Sequence, residues 1–559
     1  MGKAIDCLFV GHNEMDFLTY EEKIRQMGVH TGAFRDLNLN YIWYNNKPYS
    51  ASDIFNLFHC CKNGNKPLTI GETFNAAIAY LGTYLHRRGF TFDYVNAFRE
   101  EKEELKRKLL QDNILSIAII TTLYVSAFPI IEIIDFIKKY NREVRIIVGG
   151  PFVTSQFRVQ DSSSFAYLLG TTLGADFYIN SSQGEAALVE LLNALKNRLP
   201  FDHINNLYYK SDKGCISTPI SRENNKLSEN MVDWTLFADR MGAFANIRTS
   251  ISCPFSCAFC GFPQHAGRYQ VADVESIKQE LNQLERIETL EHIHFIDDTF
   301  NVPVKRFKNI LRMIIKNKFR FKWYSHFRCQ FADREMVELM KESGCEGVFL
   351  GIESGNDQIL KNMNKAATEE KYLKGIQLLK EYQILNYGSF IIGFPGETEK
   401  TVQDTIQFIR ESRLEFYRAQ LWYCEPITPI WQQREKYKIE GERFEWSHGT
   451  MDSKHAADLV DEIFLSIDDP IWVPQYNFEC DALFHFFPRG FTMEEVKTFL
   501  KMFNDGVREK IKTSASQTQE VSFDVIKRLE RFFKGSREPD EPPVSENRLT
   551  EKYTAAFDL

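Results

Sequence analysis

Short, nearly continuous apolar runs separated by helical patterns recur twice along this chain. That alternation restricts its fold more than any single motif does. In the first series "AIDCLFVG", "FTFDYVNAF", "SIAIITTLYV", "VRIIVGGPFVT" and "ADFYINSSQGE" read as strands, with "TFNAAIAYLGTYLHRRG" and "IIEIIDFIKKYN" as helices between them. Strands that are apolar on both faces need cover on both faces, so residues 1–185 are expected to form a doubly wound parallel sheet. Residues 13–67 do not follow the alternation and read as an insertion or cap, and residues 186–245 as a helix and irregular connector.

The second series begins at Asn246. "NIRTSIS", "HIHFIDD", "KWYSHFRC", "GVFLGIES", "YGSFIIGF" and "YRAQLWYC" each precede a helical or loop segment. Six strand–helix units over residues 246–424 imply a partial (β/α)6 barrel. Residues 425–559 lose the alternation and read as a mainly helical cap or substrate region with a polar tail, "GSREPDEPPVSENR". The overall class is α/β, and 559 residues are too many for one core.

Lys and Arg total 68 against 76 Asp and Glu, a net charge of -8, which gives no support to nucleic-acid binding or to an anionic membrane surface. Residues 114–131, "ILSIAIITTLYVSAFPII", run without a charge for about the minimum length of a spanning helix. Their β-branched content, Pro129 and the amphipathic run that follows favour a buried strand, a loop and a helix. The N-terminus, "MGKAIDCLFVGHNE", reads as a buried strand without a signal-peptide layout. Most of the 11 cysteines lie singly, which speaks against a disulfide framework and for a reducing cytoplasm.

Three cysteines do cluster. "CPFSCAFC" places Cys253, Cys257 and Cys260 in a loop after a strand, on the face where barrel enzymes build active sites. Three arrangements compete: a disulfide framework, a zinc site completed by His265, or an iron–sulfur cluster with one iron left open. Structural zinc normally takes four ligands in a self-contained module, and no paired second knuckle is present. A [4Fe–4S] cluster also takes four ligands, so three thiolates leave one iron available to a small molecule.

The motif resembles the signature of radical S-adenosylmethionine (SAM) enzymes. That resemblance implies a [4Fe–4S] cluster on the three cysteines, SAM on the open iron, and Phe259 packed near the adenine. "GIESG" resembles the segment whose glutamate contacts SAM, implicating Glu353 and Ser354. "IIGFPGET" resembles the turn whose glycine, here Gly393, lets backbone approach adenine. "FIDDTF" places Asp297 and Asp298 at the end of the second barrel strand, either facing the same mouth or capping the next helix.

A doubly wound domain directly before such a barrel resembles the cobalamin-dependent subclass. "VGGPFVT" and "SSQGE" resemble its nucleotide-tail segments, implicating Gly149, Gly150, Ser182, Gln183, Gly184 and Glu185. A dinucleotide site is the competing reading, but "GHNEMD" after the first strand lacks G-x-G-x-x-G. The chain contains no D-x-H-x-x-G segment, and the loop expected below cobalamin offers Tyr124, Val125 and Ser126, none a good cobalt ligand. "FIDDTFNVP", "MNKAA" and "WSHGTM" extend the resemblance to the group around the phosphinothricin-pathway P-methyltransferase. It implies an enzyme that passes a methyl group from SAM through cobalamin to a carbon or phosphorus of a small-molecule or peptide substrate, fed by an electron donor such as flavodoxin or ferredoxin. A non-methylating radical reaction and a zinc-binding scaffold are the alternatives.

Overall fold

The structure is a computed structural model that describes residues 2–60, 65–122, 124, 126–159, 167–211, 214–476, 481–512 and 520–535. It forms two compact units. One comprises Met1–Met15, Ile70–Val348 and Glu425–Gln432; the other comprises Asp16–Thr69, Phe349–Cys424 and Gln433–Leu559.

The first unit holds the expected doubly wound sheet. Its strands are β1 (Cys7–His12), β2 (Phe92–Ala97), β3 (Ser116–Ile120), β4 (Arg145–Gly149), β5 (Phe177–Ile179), β6 (Leu207–Ser211) and β7 (Gly214–Ser217), in the order β7-β6-β5-β4-β3-β1-β2. The first five run parallel, whereas β6 and β7 are antiparallel additions at one edge. This edge hairpin lies in what reads from sequence as an irregular connector. A second difference lies after β4, where "PFVT" is not strand but opens the helix Pro151–Val159.

Both faces of this sheet are apolar. Leu8, Val10, Ile117, Ile119, Ile146 and Val148 share a core with Ile130, Ile133, Ile134 and Ile137 of the helix Phe128–Tyr140. On the other face lies the helix Ala76–His86, whose N-terminus is capped by Asn75 Oδ1 accepting from Ala77 and Ile78 N–H. Residues 114–131 are thus mostly β3 and the start of a helix, and among the described residues no helix is long and apolar enough to cross a membrane. The strand order reverses between β1 and β3, which leaves a crevice beyond their carboxyl ends.

The second sheet is strictly sequential: β8 (Phe244–Ile247), β9 (His292–Phe295), β10 (Lys322–His326), β11 (Cys345–Glu353), β12 (Leu385–Ile392), β13 (Phe416–Leu421) and β14 (Ile471–Trp472). β11 begins in the first unit and ends in the second. The six expected strands are present, and β14 is a further one that the sequence pattern did not reveal. Apolar residues at Phe307, Ile310, Leu311 and Ile314 make one buried stripe on the helix Val304–Asn317. Phe307 packs there with Phe300 and Trp323.

The compact units cut across the expected boundaries. The segment read as an N-terminal insertion belongs to the second unit, where Arg418 on β13 donates to Asn40 Oδ1 at 2.8 Å and reaches Asp36. Lys510, on the helix Met493–Ile511, donates to the Tyr41 carbonyl at 2.6 Å. The C-terminal region is mainly helical but also contains a small sheet of Glu440–Glu442, Glu445–His448 and Met451–Asp452.

Candidate active site

The cysteine loop leaves the barrel sheet by a strained step. β8 is followed by the short strand Ser250–Ile251, paired antiparallel with Gln270–Val271, and then by Ser252 in the left-handed region at φ 66°. A serine held there costs backbone energy, and such strain persists only where surrounding structure imposes it. Asp297 supplies that constraint. It is buried, and its carboxylate accepts from Thr249 N–H at 2.8 Å, from Ser250 N–H at 2.7 Å and from the Thr249 hydroxyl. Arg306 adds a bond from Nη2 to the Thr249 carbonyl at 2.8 Å. Asp297 therefore positions the loop's entrance, and its neighbour Asp298 is the exposed member of the pair.

Each cysteine sulfur meets a group able to donate a hydrogen bond to a thiolate. Cys253 Sγ lies 3.3 Å from the Thr299 hydroxyl, Cys257 Sγ accepts from Arg328 Nη2 at 3.1 Å, and Cys260 Sγ accepts from Phe262 N–H at 3.4 Å. All three are free thiols, so no disulfide framework uses them. Three sulfurs on one loop, each facing a donor that suits a thiolate, fit three cysteine ligands of a cluster. Among the described residues, no three His, Cys, Asp or Glu side chains gather as the ligands of a single ion would. His265, the fourth zinc ligand in the competing arrangement, instead lies against Arg158, with Nδ1 3.5 Å from Nη1. Phe259 is half-buried in the same loop.

The first-unit strands of the barrel sheet carry an uneven pair of faces. Phe295 and Trp323 point to the helix side, packing on Phe300 with centroids 4.2 and 5.8 Å away. Strand alternation turns Asn246, His294, Tyr324 and His326 to the opposite face. Asn246, His294 and Tyr324 are direct cross-strand neighbours. The His294 ring stacks on Tyr324 at 4.7 Å and lies 5.8 Å from His326. Burial lowers the His326 pKa to about 4, so its imidazole is neutral at pH 7.

In the second unit, β11 ends at Glu353, which also adopts a left-handed backbone, φ 71°. Its carboxylate is buried and pairs with Lys365 Nζ at 2.8 Å. The two motifs "GIESG" and "MNKAA" are thereby joined by one ion pair. Ser354 is buried, with its hydroxyl accepting from Asn356 N–H at 3.2 Å. Gly393 has φ 89°, and a Cβ there would meet Trp446 at 2.4 Å, so packing as well as backbone conformation demands glycine. Its N–H donates to Glu397 at 2.5 Å, and His448 Nε2 lies 3.0 Å from its carbonyl.

At the edge of the first sheet, the Tyr124 hydroxyl donates to the Gly11 carbonyl at 3.1 Å, spanning the crevice between the ends of β1 and β3. Ser126 follows it, and Val125 lies outside the described residues. Gly149 ends β4, and Gly150 (φ 112°) would bring a Cβ within 2.8 Å of Thr121 Oγ1. The "SSQGE" segment is largely engaged by protein. The Gln183 amide bonds both backbone groups of Asn225, at 3.0 and 3.1 Å. Asn225 Nδ2 reaches Glu185, whose pKa is raised by burial. Gly184 caps the helix Glu185–Asn197 at φ 80°, and Ser182 lies beside Gly267 of the cysteine loop's extension.

Arg328, Thr299, Asn246, His294, Tyr324, His326 and Lys365 were not singled out from sequence. Lys365 and Thr299 lie inside the recognised motifs "MNKAA" and "FIDDTF". The others carry no local pattern, and only strand pairing and loop packing bring them together.

Comparison with known proteins agrees with this geometry. Residues 247–409 match the family model of the radical SAM superfamily. The chain is 27% identical over 334 residues to an uncharacterized methyltransferase of Pyrococcus horikoshii, covering 58% of this chain and 70% of that protein. It is 32% identical over 199 residues to the bacteriochlorophyllide d C-12(1)-methyltransferase of Chlorobaculum tepidum, covering 35% of this chain and 42% of that one. Among solved structures, TsrM from Kitasatospora setae with cobalamin and a [4Fe-4S] cluster bound has a TM-score of 0.53 at 19% identity, covering 77% of each chain. The cobalamin-dependent SAM radical enzyme OxsB with aqua-cobalamin bound has a TM-score of 0.55 at 15% identity, covering 87% of this chain and 78% of that one. Residues 247–409 thus match the radical SAM superfamily, and the chain shares its fold with the solved structures of TsrM and OxsB.

Proposed function

We propose that this chain is a cobalamin-dependent radical SAM methyltransferase acting on an unactivated carbon or a phosphinate phosphorus of a natural-product or peptide substrate. The observation that carries the reading is the loop of Cys253, Cys257 and Cys260, three free thiols each facing a donor, within a radical SAM domain. The same compact unit holds a doubly wound sheet whose strand order reverses between β1 and β3. When bound, the cluster with SAM supplies radical hydrogen abstraction, and cobalamin supplies methyl transfer.

The protein's own residues bind and orient. The three cysteines would hold the cluster, and Asp297 with Arg306 fixes the strand entering their loop. Tyr124, Gly149 and Gly150 shape the sheet edge facing cobalamin, where glycines admit a bulky ligand close to backbone. Asn246, His294, Tyr324 and His326 offer hydrogen-bonding groups on the barrel's inner face, where a barrel without a ligand there would carry branched apolar residues. They form the seat for the substrate's polar groups. Glu353, paired with Lys365, would be the acceptor for a SAM hydrogen-bond donor. The described cysteines are all free, as in a reducing compartment, and an electron donor such as flavodoxin or ferredoxin would reduce the cluster.

The test is anaerobic reconstitution with iron, sulfide and cobalamin, then turnover of candidate substrates with SAM carrying a deuterated methyl group. Product that gains the label supports the reading. SAM cleavage with an unmethylated, altered product would make this a radical enzyme of another reaction class. Colourless protein that binds zinc and no iron would overturn the cluster.

A further inference from the structure

We infer that Arg328 sets the reduction potential of the cluster held by Cys253, Cys257 and Cys260, by fixing a permanent positive charge against the Cys257 sulfur. The inference rests on the cluster reading above. Arg328 follows β10, and its guanidinium is buried, with Nη2 3.1 Å from Cys257 Sγ. The guanidinium carbon sits 3.6 Å from the centroid of Phe255, the aromatic residue between the first two cysteines of the motif. Phe255 is backed by Phe331, with ring centroids 5.9 Å apart. The arginine backbone is clamped as well: Asn301, fully buried, accepts from Arg328 N–H at 3.0 Å and donates to its carbonyl at 3.0 Å. Head and backbone are thus held by separate groups, which leaves the charge little freedom to move away from the sulfur.

The other two sulfurs face neutral donors, the Thr299 hydroxyl and the Phe262 N–H. Arg328 alone among these three donors brings formal charge, and a guanidinium does not deprotonate in proteins. A doubly positive four-iron core with three thiolates carries one net negative charge. Taking one electron from a protein donor such as flavodoxin or ferredoxin leaves two, with no bond made or broken in the protein. A nearby cation favours the more negative, reduced state, and burial keeps solvent from screening it. Arg328 therefore eases an electron transfer that would otherwise demand a stronger reductant.

The experiment is a redox titration of the anaerobically reconstituted protein with dithionite, followed by electron paramagnetic resonance, with iron counted in every sample. Arg328→Gln is expected to retain its iron and to move the midpoint to lower potential. A ten- to hundredfold change in the oxidised-to-reduced ratio corresponds to ~60–120 mV for one electron. Arg328→Lys, which keeps charge without the planar stack, should shift less. Phe255→Leu, which removes the platform, should shift in the same direction by a smaller amount. A wild-type midpoint in Arg328→Gln with full iron overturns the inference. If that variant fails to hold iron, a wild-type midpoint in Phe255→Leu with full iron overturns it equally, with Arg328→Lys as the control that keeps the charge. Wild-type protein that binds no iron would instead defeat the cluster reading itself, so the two failures are distinguishable.

Discussion

The two large sheets are built from the same strand–helix alternation yet place their chemistry differently. In the N-terminal sheet, Leu8, Val10, Ile117, Ile119, Ile146 and Val148 lie in one apolar core and helices cover both faces. The switch point of that sheet lies beyond the carboxyl ends of β1 and β3, where the Tyr124 hydroxyl donates to the Gly11 carbonyl. In the barrel sheet, one face packs Phe295 and Trp323 on Phe300 while the other carries Asn246, His294 and Tyr324. There the sheet itself supplies a polar wall. Alternation of strands and helices thus announces the architecture, while the polarity of the second face distinguishes the two sheets.

The comparison breaks most visibly at the cysteine loop. Replacing Cys253, Cys257 and Cys260 together with Ala should abolish iron binding and SAM cleavage while the N-terminal sheet stays folded. Four irons per chain in that variant would sink the cluster assignment. Replacing the isolated, buried Cys345 should leave iron content unchanged.

Glu353→Gln comes next in size, because it leaves the Lys365 ammonium buried without its carboxylate. Breaking such a pair costs ~3–5 kcal/mol. If Glu353 also accepts from SAM, affinity should fall about ten- to hundredfold, the cost of a lost charge-assisted hydrogen bond. Calorimetric titration with SAM on the loaded protein checks both, and an unchanged dissociation constant would return Glu353 to a purely structural role.

A matched pair of substitutions sharpens the contrast between the sheets. Ile119→Asn puts an amide into an apolar core and should cost ~2–4 kcal/mol or more, seen as a large fall in melting temperature. His294→Leu, on the barrel's polar face, should change the melting temperature little but reduce product formation about tenfold or more, the worth of a hydrogen bond to substrate. Equal destabilisation by the two would mean that His294 is ordinary core.

A smaller effect concerns pH. Burial pushes the Glu397 carboxyl up to about 8, well above its ordinary 4.5. The folded state then holds a proton that the unfolded state has lost, so this group's contribution to stability falls as pH rises from about 4.5 to 8. Glu397→Gln should flatten the melting temperature across that window, and an unaltered slope would assign the pH dependence to other groups. Last, cob(II)alamin bound to the protein should show no nitrogen triplet splitting in electron paramagnetic resonance. If the triplet appears, His12, which ends β1, is the imidazole to replace.

Much of this was legible in the chain itself. Period and apolarity announced both sheets, because a parallel strand buried on two faces can be little else. The cysteine spacing marked the cluster loop, because three thiols within eight residues can converge without help from distant parts of the chain. What escaped was whatever depends on residues far apart in sequence. The edge hairpin of β6 and β7 looked irregular because its strands are short and its outer strand is partly exposed. Asp297 reads equally as a ligand or a helix cap until Thr249 and Ser250 are seen donating to it. At Gly393 the sequence shows a glycine turn, and only the structure shows Trp446 filling the space a side chain would need.

The sequence by itself determined the element types, their order and the three sulfurs, all consequences of local periodicity and short spacing. Only the tertiary structure decided which donors face those sulfurs. It also decided that residues 16–69 fold with the later barrel strands, and that the histidines of β9 and β10 share a face with Asn246. The physical reason is common to all three. Hydrogen bonds, ion pairs and strand register are set by distances in space, and Arg328 meets Cys257 at a sequence separation of 71 that no local pattern records.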